Sequence, residues 1–200
     1  MSRNSRSRRT ETEILDAAWD LIAERGAEIS VAEIAKNAGV SRQAVYLHFN
    51  SRGGLLMQLV KRADDRLAIK EQFFEALDHP DPATRFDLAL TAWFNFVPKI
   101  ITVARDLVRL RATDQEAAAA WEDRMSDLRS WLRTLMTSIK NDDALKAPWT
   151  PSDAADYVWA ITSVQVWDLL VTDRRWPKRK TASVIKDALH GTLLKQKRVG

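Results

Sequence analysis

The segment Ser30 to Ser41, SVAEIAKNAGVS, constrains the fold more than any other. Ser30-Val-Ala-Glu33 has the form of a capping box, in which the serine and the glutamate satisfy each other's helix-start N–H groups. The helix it starts, about Val31 to Asn37, turns Val31, Ile34, Ala35 and Ala38 inward at spacings of three and four. Gly39 ends it, because a sharp exit from a helix usually needs positive φ. Val40 plugs the turn, and Ser41 caps a further short helix, Arg42 to Phe49. Two short helices joined by a Gly-Val turn, with the small Ala35 at their crossing, form the pattern of a helix-turn-helix. Many helical hairpins share that pattern.

The remaining chain also reads as helix. Six glycines and six prolines in 200 residues favour long regular elements. Thr10-Glu-Thr-Glu13 is a second capping box, followed by Ile14, Ala18, Leu21 and Ile22, so a first helix is expected from Glu11 to Arg25 with Gly26 as its stop. A helix from Arg52 to about Leu77 carries the stripe Leu56, Leu59, Val60, Ala63 and Leu67. His79-Pro-Asp-Pro82 breaks the chain. Helices then follow over 83–97, stopped or kinked by Pro98, and over 100–111, 114–139, 152–174 and 178–195. No strand alternation, repeat or low-complexity segment is found. The expected class is all-α, with about nine helices.

Several functions are set aside on composition. There is no cysteine, hence no disulfide, thiolate metal site or Cys nucleophile. No metal or cofactor site, H-E-x-x-H or phosphate-binding glycine loop is present, since Gly53-Gly54 follows no strand. No catalytic residue is assigned, and a helical enzyme is the weakest reading. No run approaches the ~18 apolar residues of a membrane span, and no secretory signal is read at the basic N-terminus. A cytoplasmic protein without membrane association is expected.

Net charge is only +4, but its distribution is uneven. The thirty residues from Ile34 to Ala63 hold Lys36, Arg42, Arg52, Lys61 and Arg62 and no acid, in a chain that is 29% charged. Met1 to Arg9 has four arginines and no acid, and from Arg174 onward Asp187 is the lone acid. Such basic ends are either solvated tails or contacts for a polyanion.

Within the acid-free window, IAKNAGVSRQAVYLHFNSRGGLL resembles the DNA-binding domain of the tetracycline-repressor (TetR) family of bacterial regulators. Ile34, Ala35, Ala38, Gly39, Val40, Ser41, Tyr46, His48, Phe49, Arg52, Leu55 and Leu56 carry the likeness, with Arg52 standing where lysine is commoner. The resemblance implies a helix-turn-helix DNA-binding domain over 1–55, including a basic N-terminal arm, and a ligand-binding and dimerisation domain over 56–200. It also implies that the helix from Arg42 enters the major groove of a double-stranded operator. Arg42 and Gln43 suit guanine and adenine edges, and Ala44 a thymine methyl. Tyr46, His48 and Arg52 suit phosphates, which position without specifying, and Ser41 is counted among the DNA-binding residues. Tyr46 reads equally as core. Gly53-Gly54 is either plain loop or a close approach for phosphate at a helix start.

For the C-terminal part, the resemblance implies a homodimer built on the last two long helices, with Val164, Trp167, Leu170 and Val171 as interface candidates. It implies a small-molecule effector as well. Seven of eight tryptophans lie beyond Gln72, and Trp93, Phe94, Phe96, Trp121, Met125 and Trp159 either line an apolar cavity or fill the core. The effector expected is apolar or aromatic, and the tryptophans would also accept a cation. The function expected is a dimeric, ligand-released repressor on a near-palindromic site. An activator, or a regulator whose C-terminal domain binds protein, is the alternative.

Overall fold

Helix 1 begins before its sequence signal. The computed structural model describes residues 3–25 and 29–196, and α1 spans Arg3–Arg25. Thr10 and Glu13 lie inside it, so the first capping box is not a helix start. No glycine or proline opposes helix before Thr10, and Arg9 meets Glu13 one turn on at 2.9 Å. Gly26, the expected stop, lies outside the described residues.

The second capping box forms as expected. The Ser30 hydroxyl accepts from Glu33 N–H at 3.2 Å, the Glu33 carboxylate accepts from Ser30 N–H at 2.8 Å, and α2 runs Val31–Asn37. Gly39 takes φ +67°, a conformation that side chains resist. The turn closes with Val40 N–H donating to the Ala35 carbonyl at 2.9 Å. Ser41 then accepts from Ala44 N–H at 3.1 Å and starts α3, Arg42–Phe49.

Three later expectations need correction. The helix from Arg52 is two helices, α4 (Arg52–Leu67) and α5 (Ile69–Leu77), because Ala68 is left-handed at φ 47°. No glycine or proline marks that break, and the apolar pattern runs on through it. The Gln72 amide donates to the Leu67 carbonyl at 2.7 Å, satisfying an acceptor near the break. Pro98, expected to interrupt a helix, sits inside one continuous α6, Pro82–Leu110. Proline removes one donor, but buried Phe94, Phe96, Val97, Ile100 and Val103 on both sides anchor the helix. α6 is long and apolar enough to cross a membrane by length and composition alone, yet half of that apolar window is buried in the protein.

α7 covers Gln115–Asn141. The helix expected over 152–174 is divided into α8 (Pro151–Ile161), α9 (Val164–Asp168) and a π-helical turn (Leu169–Asp173). Ser163 makes the break by accepting from Val166 N–H at 3.3 Å and capping α9. α10 is Lys178–Leu193. Among the described residues there is no strand, only an isolated bridge between Leu145 and Leu194.

The chain packs as two compact units, one of residues 1–66 and 102–123, the other of 67–101 and 124–200. α6 and α7 each contribute to both. In the first, Ile14 and Ala18 of α1, Ile34 of α2, Val45 and Phe49 of α3 and Leu55 and Leu59 of α4 are buried. In the second, Phe86 and Leu90 of α6, Leu135, Met136 and Ile139 of α7 and Val158 of α8 make the core. Arg85 is buried there and paired with Asp142.

Trp167 is 2% exposed and stacks on Phe94 with ring centroids 5.6 Å apart. Val164 is buried too. Two of the four expected interface residues therefore belong to the core of their own chain, while Leu170 and Val171 are half-buried. Trp167→Ala is expected to lower unfolding free energy by about 3–5 kcal/mol, as for large buried aromatics. Urea denaturation checks this. A loss confined to dilute protein would instead mark Trp167 as an interface residue.

Candidate nucleic-acid interface

α3 is held by its inner side. Val45 and Phe49 are 1% and 4% exposed, so they fix the helix while the opposite side stays in solvent. Arg42 and Gln43 are exposed in its first turn, and Ala44 is half-buried. Tyr46 is 39% exposed, so of its two readings the polar one retains an accessible ring. His48 is half-buried, tilted against Phe49 at 6.1 Å. Ser41 serves as the cap.

Leu47, missed in the sequence reading, is 82% exposed. A large apolar side chain so bare, between Tyr46 and His48, belongs to the same surface as the expected base readers. The clue was available: Val45 and Phe49 set the inward face, and Leu47 lies about 200° around the helix from Val45. Lys36 of α2 is exposed as well, and neither it nor Arg42 meets an acid among the described residues.

Arg52, Gly53 and Gly54 are engaged otherwise. The Arg52 guanidinium meets Asp106 at 2.5 Å and the Ile29 carbonyl at 2.5 Å. Gly53 is buried, and a Cβ there would overlap the Cβ of Ala117. A Cβ on Gly54 would overlap the Phe49 carbonyl oxygen. The pair thus fits neither expected reading, plain loop or phosphate seat. It is a point at which α4 packs against Ala117 of α7 and the carbonyl of Phe49 at the end of α3, with no room for a side chain.

The anion that sits by the start of α4 is internal. Asp114 accepts from Gly53 N–H at 3.4 Å, from the Ser51 hydroxyl at 3.4 Å and from Ala117 N–H at 3.0 Å. One carboxylate thereby caps α7 and faces the positive end of α4. Burial pushes the Asp114 carboxyl up, but the bonds from Ala117, Ser51, Gly53 and Glu116 outweigh it and hold the carboxyl below its ordinary 3.8. Elsewhere in the window, Arg62 meets Asp16 of α1 at 2.5 Å, and Arg66, beyond the window, meets the same carboxylate at 2.8 Å.

The proposed effector residues do not converge on one space. Trp93 lines a cavity of about 10 Å³ with Phe73, Leu128, Trp131 and Thr162, room for about one water. Its indole N–H donates to the Thr162 carbonyl at 2.8 Å, and Phe96 lies 5.9 Å from its ring. Phe94 turns to Trp167. The Trp159 indole N–H reaches the Met125 sulfur at 3.4 Å. Trp121 belongs to the other compact unit, beneath Arg111. Among the described residues, no group of His, Asp and Glu could hold a metal ion.

Known proteins share this arrangement. Residues 14–59 match the family model of bacterial regulatory proteins of the tetR family. An uncharacterised HTH-type transcriptional regulator of Mycobacterium tuberculosis (strain ATCC 25618 / H37Rv) is 39% identical over 95 residues, a match that spans 46% of each chain and so about half of that relative. The HTH-type transcriptional repressor BepR of Brucella suis is 27% identical over 76% of each chain. A transcriptional regulator from Saccharomonospora viridis, solved in complex with choline, superposes with a TM-score of 0.72 over 93% of this chain and 98% of its own, at 16% identity. The helix-turn-helix, set within an all-helical chain, thus defines the class. Residues 14–59 carry the DNA-binding domain found in bacterial regulatory proteins of the tetR family, and the chain as a whole has the all-helical fold of solved regulators of that kind.

The low carboxyl pKa of Asp114 has a sign. A group held below its unfolded value stabilises the fold above that value and loses the contribution as pH falls through the folded value. Wild type should therefore lose stability faster than Asp114→Asn on acidification below about pH 4. Urea unfolding from pH 6 to pH 2.5 measures this, and parallel curves for the two proteins would remove Asp114 from the account.

Proposed function

We propose that the chain is a dimeric, ligand-responsive repressor in which residues 1–55 contact DNA and residues 56–200 bind the effector and the second copy. The observation that carries this reading is the outer face of α3: Arg42, Gln43, Tyr46 and Leu47, exposed on a helix anchored by Val45 and Phe49. Arg42 and Gln43 read base edges in the major groove, Ala44 and Leu47 meet thymine methyls, and Ser41, Tyr46 and His48 reach phosphates. Arg52 and Gly53 leave the contact set, because their charge and their surface are already used within the unit.

Two copies with recognition helices about 34–36 Å apart would meet successive major grooves of a near-palindromic operator. With Val164 and Trp167 in the core, the apolar surface left for pairing is half-buried Leu170 and Val171, with Leu169 (56% exposed) and Val184 (43%) added. The repressor assignment draws on BepR. The effector proposed is small and apolar or aromatic, and the choline bound by the S. viridis protein leaves room for a cation. A cavity of about 10 Å³ beside Trp93 has to open to admit such a molecule. Ligand would then favour an opened state over the one seen here and shift the population away from DNA. A protein acting on operator DNA in this way works in the cytoplasm.

Selection of bound sequences from random DNA at stated salt tests the whole reading: two half-sites one helical turn apart should emerge, and an unenriched pool would refute it. Arg42→Ala is expected to lose about 1–3 kcal/mol on the selected site and to relax the choice of one base pair. Uniform weakening on every sequence would make it a phosphate contact. Arg52→Ala should leave the salt dependence of binding unchanged, since a residue outside the phosphate contacts releases no counterion. A slope reduced by about one per half-site would return Arg52 to the DNA.

A further inference from the structure

The basic run that begins at Arg174 has no part in DNA recognition as proposed, yet it borders a cavity of the second unit larger than the one beside Trp93. A groove of about 340 Å³ lies between α6 and α10, near the lower end of the ~300–1,000 Å³ typical of small-molecule sites. Its apolar side is Phe94, Pro98, Trp167 and Ala182, with the Phe94–Trp167 stack as floor. Lys178, Arg179 and Lys186 stand on its α10 side. Lys178 and Arg179 lie four and three residues before Ala182 and Lys186 four after it, so the spacing brings each beside Ala182 on that helix. No lining residue is acidic.

The three cations differ. Lys186 is committed: its ammonium meets Asp87 at 2.6 Å and the Thr91 hydroxyl at 2.8 Å. The next lysine along, Lys180, lies over the Trp176 ring at 4.2 Å. Lys178 and Arg179 are exposed and meet no acid among the described residues. The groove therefore joins an aromatic floor to two uncompensated positive charges.

We propose that this groove is a ligand site for a small amphipathic carboxylate, its apolar body on Phe94, Pro98 and Ala182 and its carboxylate held by Lys178 and Arg179. A neutral apolar molecule would leave both cations unused. A bare inorganic anion would leave the apolar floor wet, so the carboxylate must carry an apolar body. Arg179 offers a planar fork suited to a carboxylate, and Lys178 a point charge beside it. The site is separate from the cavity beside Trp93, and the inference does not rest on DNA binding.

Calorimetric titration of the full chain at fixed ionic strength tests it. The probes are 1-naphthoate, its neutral amide, 1-naphthylmethylammonium and inorganic phosphate. Naphthoate is expected to bind at least tenfold more tightly than the amide or the ammonium compound, and phosphate at equal concentration should not displace it. Lys178→Gln with Arg179→Gln, both at exposed positions, should bring naphthoate down to the affinity of the amide. Ala182→Trp should abolish binding by filling the groove, with circular dichroism melting to confirm that the variant folds. The proposal is overturned if naphthoate fails to bind, if the aromatic probes bind alike, if phosphate displaces naphthoate, or if the double variant keeps wild-type affinity. Undiminished binding by folded Ala182→Trp would equally place the site elsewhere.

Discussion

The closest constraint in the first unit is the approach of α4 to α7 at Gly53. Where a side chain would stand, the Ala117 Cβ already stands. Such an approach leaves the N–H groups at the start of α4 little access to solvent, and buried donors need partners. Asp114 supplies one to Gly53 while capping α7, and Ser51 supplies one to Gly54 at 3.0 Å. Gly54 in turn allows the Phe49 carbonyl to sit against α4. The end of α3, the start of α4 and the start of α7 are thereby fixed by one small set of atoms. The angle at which α3 presents Arg42 and Gln43 depends on that corner.

This accounts for the acid-free window more fully than DNA contact alone. Its cations divide into two groups. Lys36, Arg42 and Lys61 face solvent without an acid among the described residues, while Arg52 and Arg62 are met by Asp106 and Asp16 from outside the window. An acid inside the window would compete for Arg52 or Arg62, or would sit beside the proposed DNA face. On the proposed function the window is thus acid-free for two physical reasons, and only the second concerns nucleic acid.

Legibility followed the range of the interactions. α2, the Gly39 turn and α3 were readable because their determinants are local: a capping box, one positive φ and a serine cap within twelve residues. The start of α1 was missed because Thr10 looks like a cap but sits in a segment with nothing to stop a helix upstream. The break at Ala68 was illegible, since a left-handed alanine has no sequence mark and must be imposed by packing. Pro98 misled in the opposite direction, a local breaker overruled by buried neighbours. Among site residues, exposure of Arg42 and Gln43 followed from helix phase alone. The fates of Arg52 and Gly53 did not, because Asp106, Asp114 and Ala117 lie fifty to sixty-five residues away in sequence and nothing local announces them.

The same distinction of range bears on how the second unit can respond to a ligand. Its aromatics are mostly satisfied in pairs: Phe94 on Trp167, Trp93 on Phe96 and bonded to Thr162, and Trp159 on Met125. A molecule entering beside Trp93 must separate contacts that already exist, so its binding energy is divided between contact and opening. A molecule in the groove beside Lys178 separates nothing, because the floor is already stacked and two cations meet no acid among the described residues. The groove can therefore bind the fold as it stands, whereas the inner cavity can bind only a different one. By linkage, only a ligand with unequal affinity for two states shifts their balance. It follows that the inner cavity is the better place for a switch, and the groove the better place for a ligand that holds the present state.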